Sequence, residues 1–278
     1  MQLGKINKLT LARPIKHGYI LIDENDEEVL LPNAYVTEDT FKNKEIEVFV
    51  YKDSEDRLVA TTQIPYITLN SFAYLEVAQV NKYGAFMDWG LPKDLLVPFS
   101  EQGKKMKKGE WYVVILLKDD ISDRLYASSK INKFLQFDNF DLSAGDKVEV
   151  LIYDKSDLGY NAIINNKYKG LIFYSDIHKD IKIGDTITAY VKNIREDGKI
   201  DLVLEPIGFK NSIDKNTALI LKALQDNNGF LNITDKSSPD IIKNKFGISK
   251  KAFKKAIGGL YKQKKIRLRP DGIELIKM

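Results

Sequence analysis

Cysteine is absent from the chain, and histidine occurs only as His17 and His178. The first absence excludes disulfides, thiolate catalysis and cysteine-ligated zinc. The second leaves too few imidazoles for a multi-histidine metal site. No run of eighteen or more apolar residues is present, so neither a transmembrane helix nor a membrane partner is expected. The first residues, MQLGKINKLT, lack the apolar stretch of a signal peptide, and a cytoplasmic location is expected on that ground. The phosphate-loop, zinc-protease and serine-hydrolase signatures GxxxxGK, HExxH and GxSxG are also missing. The acidic run at 53–56 lacks the glycine and terminal glutamate of a calcium loop and reads as a solvated turn. Neither catalysis nor a metal or cofactor is expected.

Charge is present and unevenly spread. Residues 209–278 hold 16 Lys and Arg against 6 Asp and Glu, a net +10, while the first 208 residues carry a net −6. Such asymmetry fits an anion-binding module joined to something else, or a solvated soluble surface.

The chain repeats itself at a spacing of about seventy residues. VFVYKDSEDRLVATT (48–62), VILLKDDISDRLYASS (114–129) and AYVKNIREDGKIDLVL (189–204) each join two apolar runs through a polar turn, the signature of a hairpin. Each follows a shorter run, EEVLLP (27–32), KDLLVP (93–98) or YKGLIF (168–173). Earlier still stand KHGYIL, KYGAFM and DLGYNAI, a glycine beside an aromatic residue. Each copy therefore reads as five short strands, with room for a helical turn between the third and fourth. So many strands in so few residues, without an amphipathic helix, predict a small closed sheet of the OB-fold type.

The middle copy, AQVNKYGAFMDWG…DLLVPFSE…DRLYASS, resembles the S-one RNA-binding domain, an OB-fold repeat named after a ribosomal protein. Tyr83 and Phe86 match that family's aromatic pair, Asp120 and Arg124 its acidic–basic pair, and Pro98 replaces its histidine. The first copy matches least, with His17 and Tyr19 flanking Gly18, Pro32 at the histidine position, and Asp53 with Arg57. In the third, Gly159 keeps the glycine beside Tyr160, Phe173 takes the histidine position, and Arg195 with Lys199 replace the pair. On the open face of an OB barrel, Tyr83 and Phe86 would stack unpaired bases. Phe86 reads equally as a core ring. Lys82, Arg124 and Lys199 would meet phosphates, and Gly84 would let a base approach the backbone. Trp89 is ambiguous. Copy one, with 8 basic against 12 acidic residues in 1–66, reads as structural or protein-facing, so that its removal is expected to spare most RNA affinity.

Beyond residue 208 the period becomes helical. Residues 216–229 form an amphipathic segment stopped by Gly229. Ser238 with Pro239 caps a second helix stopped by Gly247, and Ser249 caps a third, KKAFKKAIGGLYKQ. Strands around Pro270–Gly272 complete a winged helix. Phe253, Ile257, Leu260 and Tyr261 would face its core, and Lys250, Lys251, Lys254, Lys255 and Lys262 an adjoining sector centred near Gly258. That helical glycine implies close approach of a phosphate backbone or of a neighbouring helix.

The fold class is mainly β with a C-terminal α+β module: OB-fold repeats at 1–66, 67–139 and 140–208, then a winged helix at 209–278. Three such repeats before a winged helix resemble the conserved virulence factor B family. That resemblance implies a post-transcriptional or virulence-gene regulator, here an RNA-binding protein expected to be non-enzymatic and monomeric. Open beside it stand a DNA-binding transcription regulator and an adaptor docking on ribosome or polymerase.

Overall fold

Alternation builds the barrels. In the strand Lys147–Lys155 the side chains of Val148, Val150 and Ile152 are buried while Lys147 and Glu149 are exposed, the pattern of a strand with one face on a core. The computed structural model describes residues 1–36, 44–177, 179–206 and 215–276, and the side chains of 216–276 in the last stretch. His178 and the boundary expected at 208/209 lie outside them.

The first barrel comprises β1 (Ile6–Ile15), β2 (Gly18–Ile22), β3 (Glu28–Pro32), β4 (Glu45–Lys52) and β5 (Leu58–Thr61). The second comprises β6 (Phe72–Val80), β7 (Gly84–Met87), β8 (Leu95–Pro98), β9 (Trp111–Lys118) and β10 (Leu125–Ser128). The third comprises β11 (Lys147–Lys155), β12 (Gly159–Ile164), β13 (Tyr168–Phe173), β14 (Thr186–Ile194) and β15 (Ile200–Val203). In the first and third, the strand order 1-2-3-5-4 closes on itself; in the second, the order β10-β9-β6-β7-β8 leaves a seam between β8 and β10. This is the OB topology. Each long first strand carries a bulge, at Leu11/Arg13, Val77/Gln79 and Ile152/Asp154. A bulge bends the strand and increases its twist, which lets one strand serve both sides of so small a barrel. A short 3₁₀ turn follows the third strand of each copy, at Asn33–Tyr35, Phe99–Glu101 and Tyr174–Asp176.

The barrels are packed on one another. Trp89, only 3% exposed, makes edge-on contacts with Phe49 at 5.7 Å and Tyr51 at 6.3 Å, both from β4. These residues and Val59 join the apolar core of the second barrel. The indole N–H donates to the Lys93 carbonyl at 2.5 Å, so its burial leaves no unsatisfied donor. Trp89 thus resolves as the junction of barrels one and two. Phe72, Val113, Ile115, Ile131, Leu135 and Ile163 form a second junction, between barrels two and three. All three barrels belong to one compact unit.

The C-terminal unit contains α1 (Lys215–Asp226), β16 (Phe230–Leu231), α2 (Pro239–Phe246), α3 (Lys250–Lys262), β17 (Ile266–Arg269) and β18 (Gly272–Leu275). The Ser238 and Ser249 hydroxyls accept from the N–H groups of Ile241 and Ala252, and Gly247 ends α2 at φ 67°. Phe253, Ala256, Ile257 and Leu260 fill the core, but Tyr261 is 55% exposed, against the expectation from its helical spacing. One position from Leu260, it lies too far round the helix to reach the core that Leu260 already closes.

Candidate nucleic-acid interface

The three copies present equivalent surfaces. Gly18, Gly84 and Gly159 stand opposite Pro32, Pro98 and Phe173 in their ladders. A Cβ on these glycines would lie 2.0 Å from the Leu31 carbonyl oxygen, 2.2 Å from that of Val97 and 2.0 Å from that of Ile172. The space freed by the missing side chain is taken by the neighbouring strand's carbonyl, so strand packing alone accounts for the glycine at each position. The rings beside it remain available.

In the second barrel Tyr83 occupies the β6–β7 turn, 62% exposed, with the Lys82 ammonium 5.0 Å from its ring centroid. Asn81 fixes that turn by accepting from the Tyr83 N–H at 2.9 Å. Phe86 is half-buried and lines a cleft of about 540 Å³ across the β8–β10 seam, together with Trp89, Leu96, Pro98, Arg124 and Tyr126. The opposite wall is the β4–β5 turn of the first barrel, with Ser54 and Asp56. Arg124 does not pair with Asp120: its guanidinium binds the Asp56 carboxylate. Lys93 donates to the Asp53 carbonyl at 2.7 Å, tying the same turn down. The acidic first copy thus reaches the face on which the second would hold phosphate.

The third barrel carries a denser cluster. The Lys155 ammonium lies 5.7 Å from the Tyr160 centroid and 5.8 Å from that of Tyr174, and the two rings meet edge-on at 5.9 Å. The Tyr174 hydroxyl donates to the Ser156 carbonyl at 2.9 Å, which sets the ring while leaving it 41% exposed. Arg195 lies over Phe173, 5.5 Å from the centroid, held by a bidentate bridge to Asp201 at 2.8 and 3.0 Å. That hydrogen-bonded carboxylate raises the guanidinium's already high pKa. Lys199 instead bonds Asp197 at 2.7 Å in the β14–β15 turn, and its hydrogen bond holds that carboxyl below the usual range. Tyr160, half-buried against the barrel's core, comes together with Lys155 and Tyr174, Phe173 separately with Arg195, and Lys199 sits in a neutralised pair. Lys155 and Tyr174 escaped the sequence reading; the glycine–aromatic signal of DLGYNAI pointed to their neighbour only. Lys169, on β13, has its pKa lowered by burial.

In the C-terminal unit, Lys251, Lys255 and Lys262 are exposed on α3. Lys250 donates to the Lys236 carbonyl at 3.3 Å, and Lys254 faces Asp235 at 3.8 Å. At about 100° per residue, Lys251, Lys255, Gly258 and Lys262 share one stripe. A Cβ on Gly258 would meet nothing within 4 Å, so among the described residues no neighbouring helix accounts for that glycine.

Comparison with known proteins bears on the whole length. The S1 domain family (the S-one repeat) matches residues 3–63, and the CvfB-like winged helix domain family matches residues 218–275. The conserved virulence factor B of Staphylococcus epidermidis is 30% identical, over 99% of this chain and 95% of its own. The chain belongs to the conserved virulence factor B family. The Bacillus subtilis protein YitL is 31% identical over 96% of this chain and 91% of its own. A crystal structure of a Streptococcus pneumoniae multidomain protein with nucleic acid binding domains is 27% identical, covering 99% of this chain and 98% of its own, at a TM-score of 0.42. The S1 match falls on the copy whose exposed rings fit that family's motif least. OB barrels of this type and winged helices are nucleic-acid-binding modules, and this family member is a nucleic-acid-binding protein.

Proposed function

We propose that this chain is a non-enzymatic, cytoplasmic protein that binds single-stranded RNA and regulates gene expression after transcription, of the virulence-factor type that its relatives' names describe. The observation that carries this reading is the third barrel's surface, where Lys155 stands over Tyr160 and Tyr174, and Arg195 over Phe173. Rings held in this way stack unpaired bases at about 1–3 kcal/mol per base, and the cations beside them attract phosphate. Tyr83 with Lys82 offers a smaller version on the second barrel. A duplex hides its base faces, so these platforms favour single strands.

The stripe Lys251, Lys255 and Lys262, on the second helix of a helix-turn-helix, favours a second reading in which α3 enters the major groove of DNA. Titrating single-stranded RNA, duplex RNA and duplex DNA of equal length at one salt concentration separates the two. Single-stranded RNA is expected to bind most tightly, and Tyr160→Ala to weaken it by about 1–3 kcal/mol. Duplex DNA binding as tightly, with no effect of Tyr160→Ala, would replace this reading by the second.

A further inference from the structure

We infer that the groove between the second and third barrels is a path for single-stranded RNA, joining the face of one barrel to the face of the next. This deepens the RNA-binding function proposed above and rests on it.

The groove, of about 490 Å³, is lined by Lys104, Lys130, Lys133, Trp111, Tyr153 and Asp154, among others. Three lysines line it against one carboxylate, the Lys130 ammonium being held by the Ser100 carbonyl, in a part of the chain whose net charge is −6 over 208 residues. The local sign is opposite to the background, as a phosphate path requires. Trp111 is 49% exposed at the start of β9, with its ring on Tyr74 at 5.4 Å. The chain's other tryptophan, Trp89, is enclosed, so an indole left half in water stands out. Tyr74 fixes its orientation, which is what a stacking platform needs.

The groove borders elements of both barrels. Lys130 donates to the Ser100 carbonyl, in the 3₁₀ turn that presents Phe99 on the second barrel. Asp154 lies on β11, the strand whose end carries Lys155, the ammonium of which stands over Tyr160 and Tyr174. The floor is fixed across the junction: Asn132 accepts from the Tyr153 hydroxyl at 2.8 Å and from Lys169 at 3.0 Å. A strand leaving the third barrel's rings therefore meets a rigid, lysine-lined channel with an indole in its wall.

Trp111 reports its own occupancy. The intact chain is titrated with a twenty-nucleotide oligouridylate, followed by intrinsic fluorescence and, with a dye-labelled copy, by anisotropy. Quenching of the long-wavelength emission of exposed Trp111 is expected to saturate together with anisotropy. Trp111→Phe should abolish the quench. Trp111→Ala, and separately the pair Lys104→Gln and Lys133→Gln, should each weaken binding about tenfold. The lysine pair is exposed and reads the groove even if Trp111→Ala folds poorly. Binding that Tyr160→Ala weakens, but that neither quenches Trp111 nor responds to the lysine pair, would overturn the groove and leave the RNA reading standing. Absence of any binding to the oligouridylate would overturn both.

Discussion

Arg124 spends its charge on a carboxylate of the neighbouring barrel. The pair with Asp56 is largely exposed, with side-chain accessibilities of 64% and 41%, and an ion pair in that setting contributes at most about 1 kcal/mol. Its stability value is therefore small, and if Arg124 meets phosphate as proposed, Asp56 competes for it. Asp56→Asn should leave the melting temperature nearly unchanged and tighten single-stranded RNA binding by up to about fivefold. The salt dependence should steepen by about 0.7, one additional phosphate contact. Arg124→Gln placed on top of Asp56→Asn should remove the gain. An unchanged affinity and slope in Asp56→Asn would assign Arg124 to the joining of the two barrels alone. The pairing was not legible in the sequence, where Asp120 stands at the family's spacing and Asp56 lies 68 residues from Arg124.

At the scale of the element, α3 poses a question of cost. A glycine within a helix loses about 1 kcal/mol against alanine, and Gly258 has open space around it. Gly258→Ala should accordingly raise stability by about 1 kcal/mol in denaturant or thermal unfolding. If a nucleic-acid backbone comes close at this stripe, the same substitution weakens binding while it stabilises the fold. Lys251→Gln with Lys255→Gln should then lower the salt slope by about 1.4, two single-strand phosphate contacts. A stabilised Gly258→Ala with full affinity, together with an unaltered slope in the lysine pair, would remove α3 from the interface. The helix itself was readable because its signals are local: Ser249 precedes the first turn, and Phe253, Ile257 and Leu260 recur at helical spacing. The barrel hairpins were readable for the same reason, through a polar turn between two apolar runs. The rings of Tyr160 and Tyr174 meet only after β12 and β13 pair, and no spacing rule foretells that. Lys155 reaches them from β11. The three bulges, likewise, add one residue to a strand without altering its composition.

For the molecule as a whole, the decisive fact is that barrel one lends side chains to the core of barrel two. Phe49 and Tyr51 pack on Trp89, and with Val59 they belong to the same apolar cluster as Leu75, Val77, Met87 and Leu116. A fragment starting at residue 67 would uncover the indole and the apolar surface round it, at about 25 cal/mol for each Å² returned to water. The acidic charge of 1–66 suggested a dispensable module, but charge describes the outer surface of a barrel and says nothing of the face it buries. The fragment is therefore expected to melt well below the intact chain or to associate through the uncovered patch. Trp89 offers the readout. In the intact chain it is enclosed and Trp111 is exposed, so emission contains a short-wavelength component that the fragment should lose. Trp89→Ala in the full chain should reproduce the destabilisation without any truncation, at about 3–5 kcal/mol for a buried aromatic removed. A fragment that keeps the short-wavelength component, stays monomeric in sedimentation and melts within a few degrees of the intact protein would show that the shared core contributes little. The expected result carries a practical consequence for every binding measurement: the part played by barrel one in RNA affinity is to be read from substitutions such as Asp56→Asn, since deletion would confound lost contacts with a damaged second barrel.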